Sequence, residues 1–251
     1  MWPQRKLLFR FTFFPAILLV FSFVSCKEGA QPWESFGDIV SETRILRDVQ
    51  EVELNGKMIC YLTQDTAKEE SIVLQFGSNV LKGVISAVEE GKLTVTDHNK
   101  GRWLRNLDTQ LVCTLNVHQL RKLQINHNVK LICLDTISSP RLEIGMMSTE
   151  KQFLKLNCGE LFGGMKQTGT VVMEGRGVIF SWSCERDGRL DARNLVSDDV
   201  YIWNFTKHDV WVNPNKQFEA YTFNKGNIFY FVDPVFKFKK QELGEGKVIK
   251  E

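Results

Sequence analysis

Two pairs of neighbouring side chains in the last quarter of the chain have the residue types used in acid–base catalysis. His208 precedes Asp209, and Asp198 precedes Asp199. Clustered carboxylates, or a carboxylate beside a histidine, serve as general acids and bases in bond cleavage. Each pair also comes directly before an apolar run, VWV or VYIW, and both residue types tolerate turn conformations. We interpret the pairs as turn residues and keep a carbohydrate-active β-helix enzyme, acting on an acidic polysaccharide, as the alternative function.

No other motif in the sequence brings reactive residue types together. It contains no catalytic-triad pattern, no phosphate-binding loop and no His/Cys spacing typical of a zinc site. The charge is nearly balanced, with 32 basic and 30 acidic side chains, so the dense basic patch that nucleic-acid binding requires is missing. We therefore expect no enzyme activity, no metal, no cofactor and no nucleic-acid partner.

The first 25 residues have the organisation of a bacterial lipoprotein signal peptide. Basic residues precede the apolar stretch FTFFPAILLVFSFV, which ends in Val-Ser-Cys-Lys at residues 24–27. A small residue followed by cysteine is typical of the site at which the thiol is lipidated and the chain is cut. We predict that residues 1–25 are removed, that Cys26 carries a lipid anchor into a membrane, and that residues 26–38 form a linker. An ordinary secretory signal peptide is the alternative.

Five further cysteines are predicted to act as small buried hydrophobic residues, since most stand in apolar runs such as KMICYL and LVCTL. Their odd number and wide spacing do not fit a disulfide framework. The sequence allows one disulfide but favours no pair among Cys60, Cys113, Cys133, Cys158 and Cys184.

Residues 39–118 are predicted to form a portion of antiparallel β-strands. Short runs rich in Val, Ile, Phe and Tyr alternate with polar residues and are bounded by Gly, Asn and Asp. Asn55-Gly56 and Glu90-Gly91 are predicted hairpin turns. The segment SNVLKGVISAV allows at most two turns of helix.

Residues 119–251 have a period of about twenty residues, which predicts a parallel β-helix. Three short strands joined by turns make a lap of that length, and successive laps stack at about 4.8 Å. The fold class is therefore all-β, with a strand-rich N-terminal portion before a short single-stranded parallel β-helix; an antiparallel meander is the alternative. The apolar residues that define the period, spaced by twenty, eighteen and twenty residues, are Leu190, Val210, Ile228 and Val248. Earlier members of the series are predicted at longer intervals, at Val129 and Leu161.

Alternation along these strands predicts an outward column of side chains. If the aligned residues point inward, their successors point outward and stack from lap to lap; these are Asp191, Trp211, Phe229 and Ile249. Aromatic residues on neighbouring strands are predicted to face the same way. Together they give a candidate binding strip for a glycan or a protein, formed by Tyr201, Trp203, Trp211, Phe229 and Phe231. The alternatives are that the aromatic residues only stabilise the sheet as a ladder, or that N-terminal strands cover them.

The end of the chain has the composition of a cap. Lysines and glutamates of FKFKKQELGEGKVIKE lie along the final strand edge, where charge opposes edge-to-edge association. We predict that they keep the last laps of different molecules apart. The NFT sequon at Asn204 is attributed to turn composition rather than to glycosylation.

Several stretches resemble the auto-transporter adhesin head GIN-domain family, which consists largely of lipoproteins of Gram-negative bacteria. The similar stretches include ILRDVQEVELNGKMICYLTQ, SNVLKGVISAVEEGKLTVTDHN, NKGNIFYFVDP and GEGKV. Most of the family's glycine turns are degraded here, and Asp233 replaces the glycine before Pro234, so the chain resembles a diverged member. The resemblance implies a two-part β-structure ending in a right-handed β-helix, without enzyme activity or cofactor. It also implies an envelope protein, an outer-membrane lipoprotein facing the periplasm or the cell surface, with a role in binding, adhesion or scaffolding.

Overall fold

The structure, a computed structural model, describes residues 35–99 and 109–251. The predicted signal peptide, Cys26 and most of the predicted linker lie outside the described residues. Within the described part, nearly all regular structure is β-strand, and the helical structure is one single turn, α1 (Ser78–Leu81). No helix in this part of the chain has both the length and the apolar character needed to cross a membrane.

The strands of the described part are numbered in chain order. They are β1 (Ile39–Ile45), β2 (Glu51–Asn55), β3 (Met58–Thr63), β4 (Ser71–Gly77), β5 (Val84–Glu89), β6 (Lys92–Asp97), β7 (Leu111–Asn116), β8 (Lys122–His127), β9 (Val129–Cys133), β10 (Ile137–Ser148), β11 (Lys151–Met165), β12 (Thr170–Cys184), β13 (Arg189–Asn204), β14 (Val210–Thr222), β15 (Ile228–Tyr230), β16 (Lys237–Glu242) and β17 (Val248–Lys250).

Strands β8 to β17 wind into a parallel β-solenoid of about 6 turns, which confirms the predicted fold class. Each full lap contributes a strand segment to each of three faces. Face 1 consists of β8, residues 143–148, 160–165, 179–184, 199–204 and 217–222, and β16. Face 2 consists of β9, residues 151–154, 170–173, 189–192 and 210–212, β15 and β17. Face 3 consists of residues 137–139, 156–158, 175–177, 195–197 and 213–214.

The predicted period of the C-terminal laps is confirmed residue by residue. Leu190 is in register with Val210, Val210 with Ile228, and Ile228 with Val248. All four side chains are buried on the inner side of face 2. The polar turns before these residues therefore set the length of each lap.

The buried residues at Leu190, Val210, Ile228 and Val248 form an inward column on face 2. The residues that precede them in this column differ from the predicted ones. Val171 precedes Leu190 in the register, and Gln152 precedes Val171. Leu161 lies on face 1 instead. Val129 lies on face 2 but does not belong to this column. The β9 residue that pairs with β11 comes three residues after Val129 in the sequence. Both predicted members were therefore wrong.

Gln152 was missed because a polar residue interrupts the apolar column. Its side chain is almost fully buried and satisfies backbone groups where two laps meet. The Oε1 atom accepts a hydrogen bond from Leu131 N at 2.6 Å, and Nε2 donates to the carbonyl oxygens of Val129 at 2.8 Å and Glu150 at 3.0 Å. A buried amide with all these partners avoids the cost of an unpaired polar group.

The N-terminal portion contains the predicted antiparallel pairing of residues 39–118 in three strand pairs, and its strands β2 and β3 also join the parallel stack. β2 pairs in parallel with β6 and β8, and β3 pairs in parallel with β7 and β9. Antiparallel pairing within the described ranges is confined to β1 with β4, β4 with β7, and β5 with β6. Side chains alternate in the same way in both kinds of pair, so the sequence pattern does not identify a strand's partner.

The two predicted hairpin turns have different outcomes. Glu90-Gly91 joins the antiparallel pair β5 and β6 as predicted, and both residues have positive φ angles, 49° and 78°. Asn55-Gly56 does not form a hairpin, because β2 and β3 each pair with other strands. Gly56 has a φ of 113°, which other residues rarely adopt, so this Asn-Gly pair forms a corner between two faces.

All five described cysteines are free thiols and buried, as predicted for small core residues. Cys60 and Cys113 are register partners on neighbouring strands, with Sγ atoms 3.5 Å apart. The contact with Cys113 and burial raise the pKa of the Cys60 thiol well above its ordinary value. A thiol in this environment is a poor nucleophile because the thiolate is disfavoured.

The last lap ends in a network of charged side chains. Glu242 accepts a hydrogen bond from the backbone N–H of Val248 at 3.0 Å. The lysines of the predicted cap pair with glutamates of the last two laps, in the pairs Lys237–Glu219, Lys239–Glu219, Lys240–Glu242 and Lys247–Glu242. Large apolar side chains are exposed beside them, at Val235, Phe236 and Leu243. The charges thus surround an apolar end, and their role in preventing association stays a prediction.

Acidification is expected to loosen this last lap. The Val248 N–H and then Lys247 lower the pKa of Glu242 from 4.5 to about 2, because they stabilise the ionised carboxylate. A lowered pKa in the folded state means that the stabilisation is complete above about pH 4.5 and is lost as the pH falls toward 2. The Val248 amide should therefore lose its hydrogen bond over that range, as measured by its NMR chemical shift. In Glu242→Gln the shift should not titrate; an equal titration in this variant would contradict the assignment.

Candidate functional site

The two pairs of candidate catalytic residues lie apart and are engaged in structural contacts. Asp198 stands at the corner before the face-1 segment of β13 and Asp199 is the first residue of that segment, whereas His208 and Asp209 stand in the turn after it. The Asp198 carboxylate contacts Lys216 Nζ at 2.9 Å, and this contact lowers its pKa. The structure therefore does not bring the two pairs together.

His208 and Asp209 help to fix the turn between faces 1 and 2. Asp209 Oδ1 accepts hydrogen bonds from Asn227 N at 2.9 Å and from Asn227 Nδ2 at 3.1 Å. Burial lowers the pKa of His208, and the nearby Arg189 and Lys207 add to this effect. An imidazole whose pKa is lowered and a carboxylate bonded to the next lap fit the interpretation of both residues as turn residues.

The sequon in the same turn is inaccessible in the folded chain. Asn204 and Thr206 are fully buried. Asn204 Nδ2 donates to the carbonyl oxygens of His208 at 3.0 Å and Gly226 at 3.1 Å, and Oδ1 accepts from Thr206 N and Oγ1 at 3.0 and 2.9 Å. The asparagine side chain thus connects two laps through buried hydrogen bonds and is not a modification site in the folded chain.

The structure brings three residues of the candidate binding strip together on the outer side of face 2. Trp211 and Phe229 are in register, and their rings stack with centroids 5.7 Å apart. The Arg193 guanidinium lies over the Trp211 ring at 5.0 Å and 6.0 Å from the Phe231 ring. Asp191 holds this arginine, with Oδ1 2.8 Å from Nε. We call Trp211, Phe229, Phe231 and Arg193 the face-2 strip.

Sequence reasoning missed the arginine at the centre of this strip. Arg193 is two residues after Asp191, so strict alternation would have placed both on the outer side of the same strand. The positions of the aromatic residues in the sequence do not reveal the salt bridge that orients the guanidinium. An arginine fixed between two rings gives the strip a positive charge at a defined place.

Tyr201 and Trp203 lie on face 1 and do not join the face-2 strip. The chain turns from face 1 to face 2 between Trp203 and Trp211, so the outward direction changes between them. Trp203 stacks on Tyr221 with ring centroids 5.8 Å apart. At the adjoining corner, a second stacked and exposed pair was missed by sequence reasoning, Phe205 and Phe223, at 4.2 Å. We call Trp203, Tyr221, Phe205 and Phe223 the corner cluster.

A groove of ≈ 500 Å³ runs beside the face-2 strip. Its lining combines basic side chains with the Trp211 ring and polar turn residues, and it includes Lys151, Thr170, Arg189, Asp191, Arg193, His208, Asp209 and Trp211. Among the described residues, no three His, Cys, Asp or Glu side chains cluster in a way that could hold a metal ion. The groove is therefore suited to a polar or anionic ligand with an apolar surface that can stack.

Comparison with known proteins gives one family and several structural relatives. The family model described as "putative auto-transporter adhesin, head GIN domain" matches residues 48–234. A protein of Bacteroides fragilis described as a putative adhesin is similar with a TM-score of 0.79 and 17% identity, over 85% of this chain and 97% of that one. A putative adhesin of Parabacteroides distasonis gives 0.68 and 15%, over 86% and 98% of the chains.

A third relative carries a different description. A putative lipid binding protein of Parabacteroides distasonis is similar with a TM-score of 0.64 and 15% identity, over 85% of this chain and 97% of that one. At these identities the structural likeness establishes the fold and nothing further. No curated protein matches the chain.

Proposed function

Because the chain belongs to the "putative auto-transporter adhesin, head GIN domain" family, we propose that it is a non-enzymatic, lipid-anchored outer-membrane protein that binds a ligand at the cell surface. Cys26 would carry the anchor, and residues 26–38 would hold the solenoid away from the membrane. The observation that carries the binding role is the face-2 strip, in which one oriented arginine lies over two aromatic rings and a third ring stacks on one of them.

The geometry of the strip supports ligand binding over a purely structural ladder. A ladder needs only ring-to-ring stacking between laps, as in the Trp203–Tyr221 pair. In the face-2 strip, Trp211 and Phe231 share the Arg193 cation, and Trp211 lines a groove. The three rings are half-buried, and aromatic side chains at the surface next to a fixed charge are a common composition for recognition surfaces.

The structure offers less support for the enzyme alternative. The carboxylates of Asp198 and Asp209 are each used in contacts with neighbouring laps. A general acid or base must lie within hydrogen-bonding reach of the substrate atom that it serves. These two residues stand at opposite ends of one face-1 segment, so we propose a binding function without catalysis.

Removing the rings of the face-2 strip is expected to abolish binding. The full-length protein in detergent would be tested against an immobilised panel of neutral polysaccharides, acidic polysaccharides and mucin. In Trp211→Ala/Phe229→Ala, retention on the best probe should fall at least roughly tenfold, as expected for the loss of central aromatic contacts. The matched control is Trp203→Ala/Tyr221→Ala in the corner cluster, which should bind as the wild type does. Equal loss in both variants, or no loss in either, would contradict the assignment of the site.

A further inference from the structure

We propose that the groove beside the face-2 strip binds an acidic polysaccharide, with Lys151 and Arg189 contacting its acidic groups and Trp211 contacting a sugar face. This inference rests on the proposed binding function and names the ligand class of the same site. Another groove residue, Arg193, lies over the Trp211 ring.

The two cations occupy one column on the outer side of face 2. Lys151 is in register with Thr170, and Thr170 with Arg189, on three successive laps. Laps stack at about 4.8 Å, so the two cations rise from backbone positions about 10 Å apart, with a hydroxyl between them. A row of this kind runs along the solenoid axis and matches a linear ligand with repeated acidic groups better than a compact one.

Both cations are exposed and lack a carboxylate partner within salt-bridge distance among the described residues. Lys151 Nζ instead lies 4.8 Å from the Phe153 ring centroid. Several other lysines on the solenoid are paired, as in Lys155 with Glu174 at 3.7 Å and Lys216 with Asp198 at 2.9 Å. An unpaired cation in a groove is available to an anionic ligand at no cost of breaking an internal salt bridge.

The carboxylates of the groove are already engaged inside the protein. Asp191 bonds Arg193 at 2.8 Å, and Asp209 accepts two hydrogen bonds from Asn227. Asp209 is the next residue after Arg189 in the column, but its Oδ1 is directed to the following lap. The charge presented to a ligand is therefore positive at the Lys151 and Arg189 end of the groove.

The aromatic end of the groove favours a sugar over a simple anion as the ligand. The Trp211 ring has Arg193 over one part of it and Phe229 stacked beside it, so its position is fixed before binding. Sugars present apolar C–H faces that pack on such rings while their polar groups reach nearby cations. Nucleic acid is disfavoured as the occupant because the chain as a whole is nearly neutral, with a formal net charge of +2.

The test uses two forms of one polysaccharide that share the same backbone, one with ionised carboxylates and one with uncharged methyl esters. Full-length protein in detergent would be applied to immobilised polygalacturonate and to its methyl-esterified, uncharged form. We expect binding to the acid form at low salt, weaker binding as salt rises, and at least roughly tenfold weaker binding to the ester. Lys151→Gln/Arg189→Gln should reduce binding to the acid form by a similar factor. The control Lys155→Gln/Lys216→Gln removes two cations that are already paired and should have no effect.

The outcomes separate this inference from the proposed function. Equal binding of the two forms, or an unchanged affinity in Lys151→Gln/Arg189→Gln, would overturn the acidic ligand class. The binding function would still be supported if Trp211→Ala/Phe229→Ala bound one of the polysaccharides or mucin in the wider panel more weakly than the wild type does. No binding to either form, with the charged-residue variant correctly folded by circular dichroism, would also overturn the inference. Tight binding of a single-stranded oligonucleotide that depends on the same two cations would do so as well.

Discussion

Replacing Trp182 with alanine is expected to lower the free energy of unfolding by about 3–5 kcal/mol, the range for truncating a large aromatic core residue. The side chain is fully buried on the inner side of face 1. It is in register with Gly163 on one neighbouring lap and with Ile202 on the other. A Cβ atom at Gly163 would lie 2.6 Å from the Cζ3 atom of the indole, so the ring fills the space that this glycine leaves. Alanine would leave a cavity between laps that backbone hydrogen bonds hold at a fixed spacing.

Denaturant unfolding followed by circular dichroism measures this change, and Trp203→Ala is the matched control. Trp203 lies one lap further along face 1 but points outward and stacks on Tyr221. Its truncation is expected to cost about 1 kcal/mol, the value for an aromatic pair at a partly exposed site. Similar losses in the two variants would show that Trp182 does not fill the interior as described.

Replacing Asn204 with alanine is expected to cost about 3 kcal/mol or more, because several buried polar groups would lose their partner at once. The side chain donates to the carbonyl oxygens of His208 and Gly226 and accepts from the N–H and hydroxyl of Thr206. Gly226 belongs to the following lap, so the substitution also removes a direct link between laps. Thermal and denaturant unfolding would measure the loss.

Asn215→Ala provides the comparison for this second prediction. Asn215 also bonds through its amide, to Asp198 at 2.9 Å, but on the exposed surface, where water replaces the lost partner. Its effect is expected to stay within about 0.5 kcal/mol. If Asn204→Ala were as mild as this control, the turn between faces 1 and 2 would not depend on the internal amide.

The period of the solenoid could be predicted from the sequence because each lap repeats a local pattern. A polar turn followed by an inward apolar residue marks every lap from Leu190 to Val248, and stacking in register preserves the pattern. The partner of each N-terminal strand could not be predicted in this way. Asn55-Gly56 is a strong local signal for a turn, but both a hairpin and a solenoid corner use such a turn.

The candidate site was predicted in part, for a geometric reason. Register on one face follows from the period, which placed Trp211 beside Phe229 correctly. The relation between faces depends on where the chain turns, and the turn after Asn204 separates Trp203 from Trp211. The alternation of inward and outward residues does not show which face of the solenoid an outward residue lies on. The unpaired cations of the groove depend on side-chain distances between laps, which the sequence does not contain.

Protease treatment of intact cells, followed by immunoblotting, tests the central claim that the solenoid is held on the outer surface by a lipid at Cys26. We expect the wild-type protein to disappear while a periplasmic marker protein survives. Cys26→Ser should no longer sediment with the membranes. Full protection of the wild-type protein in intact cells, with digestion only after the outer membrane is permeabilised, would contradict the proposed role at the cell surface.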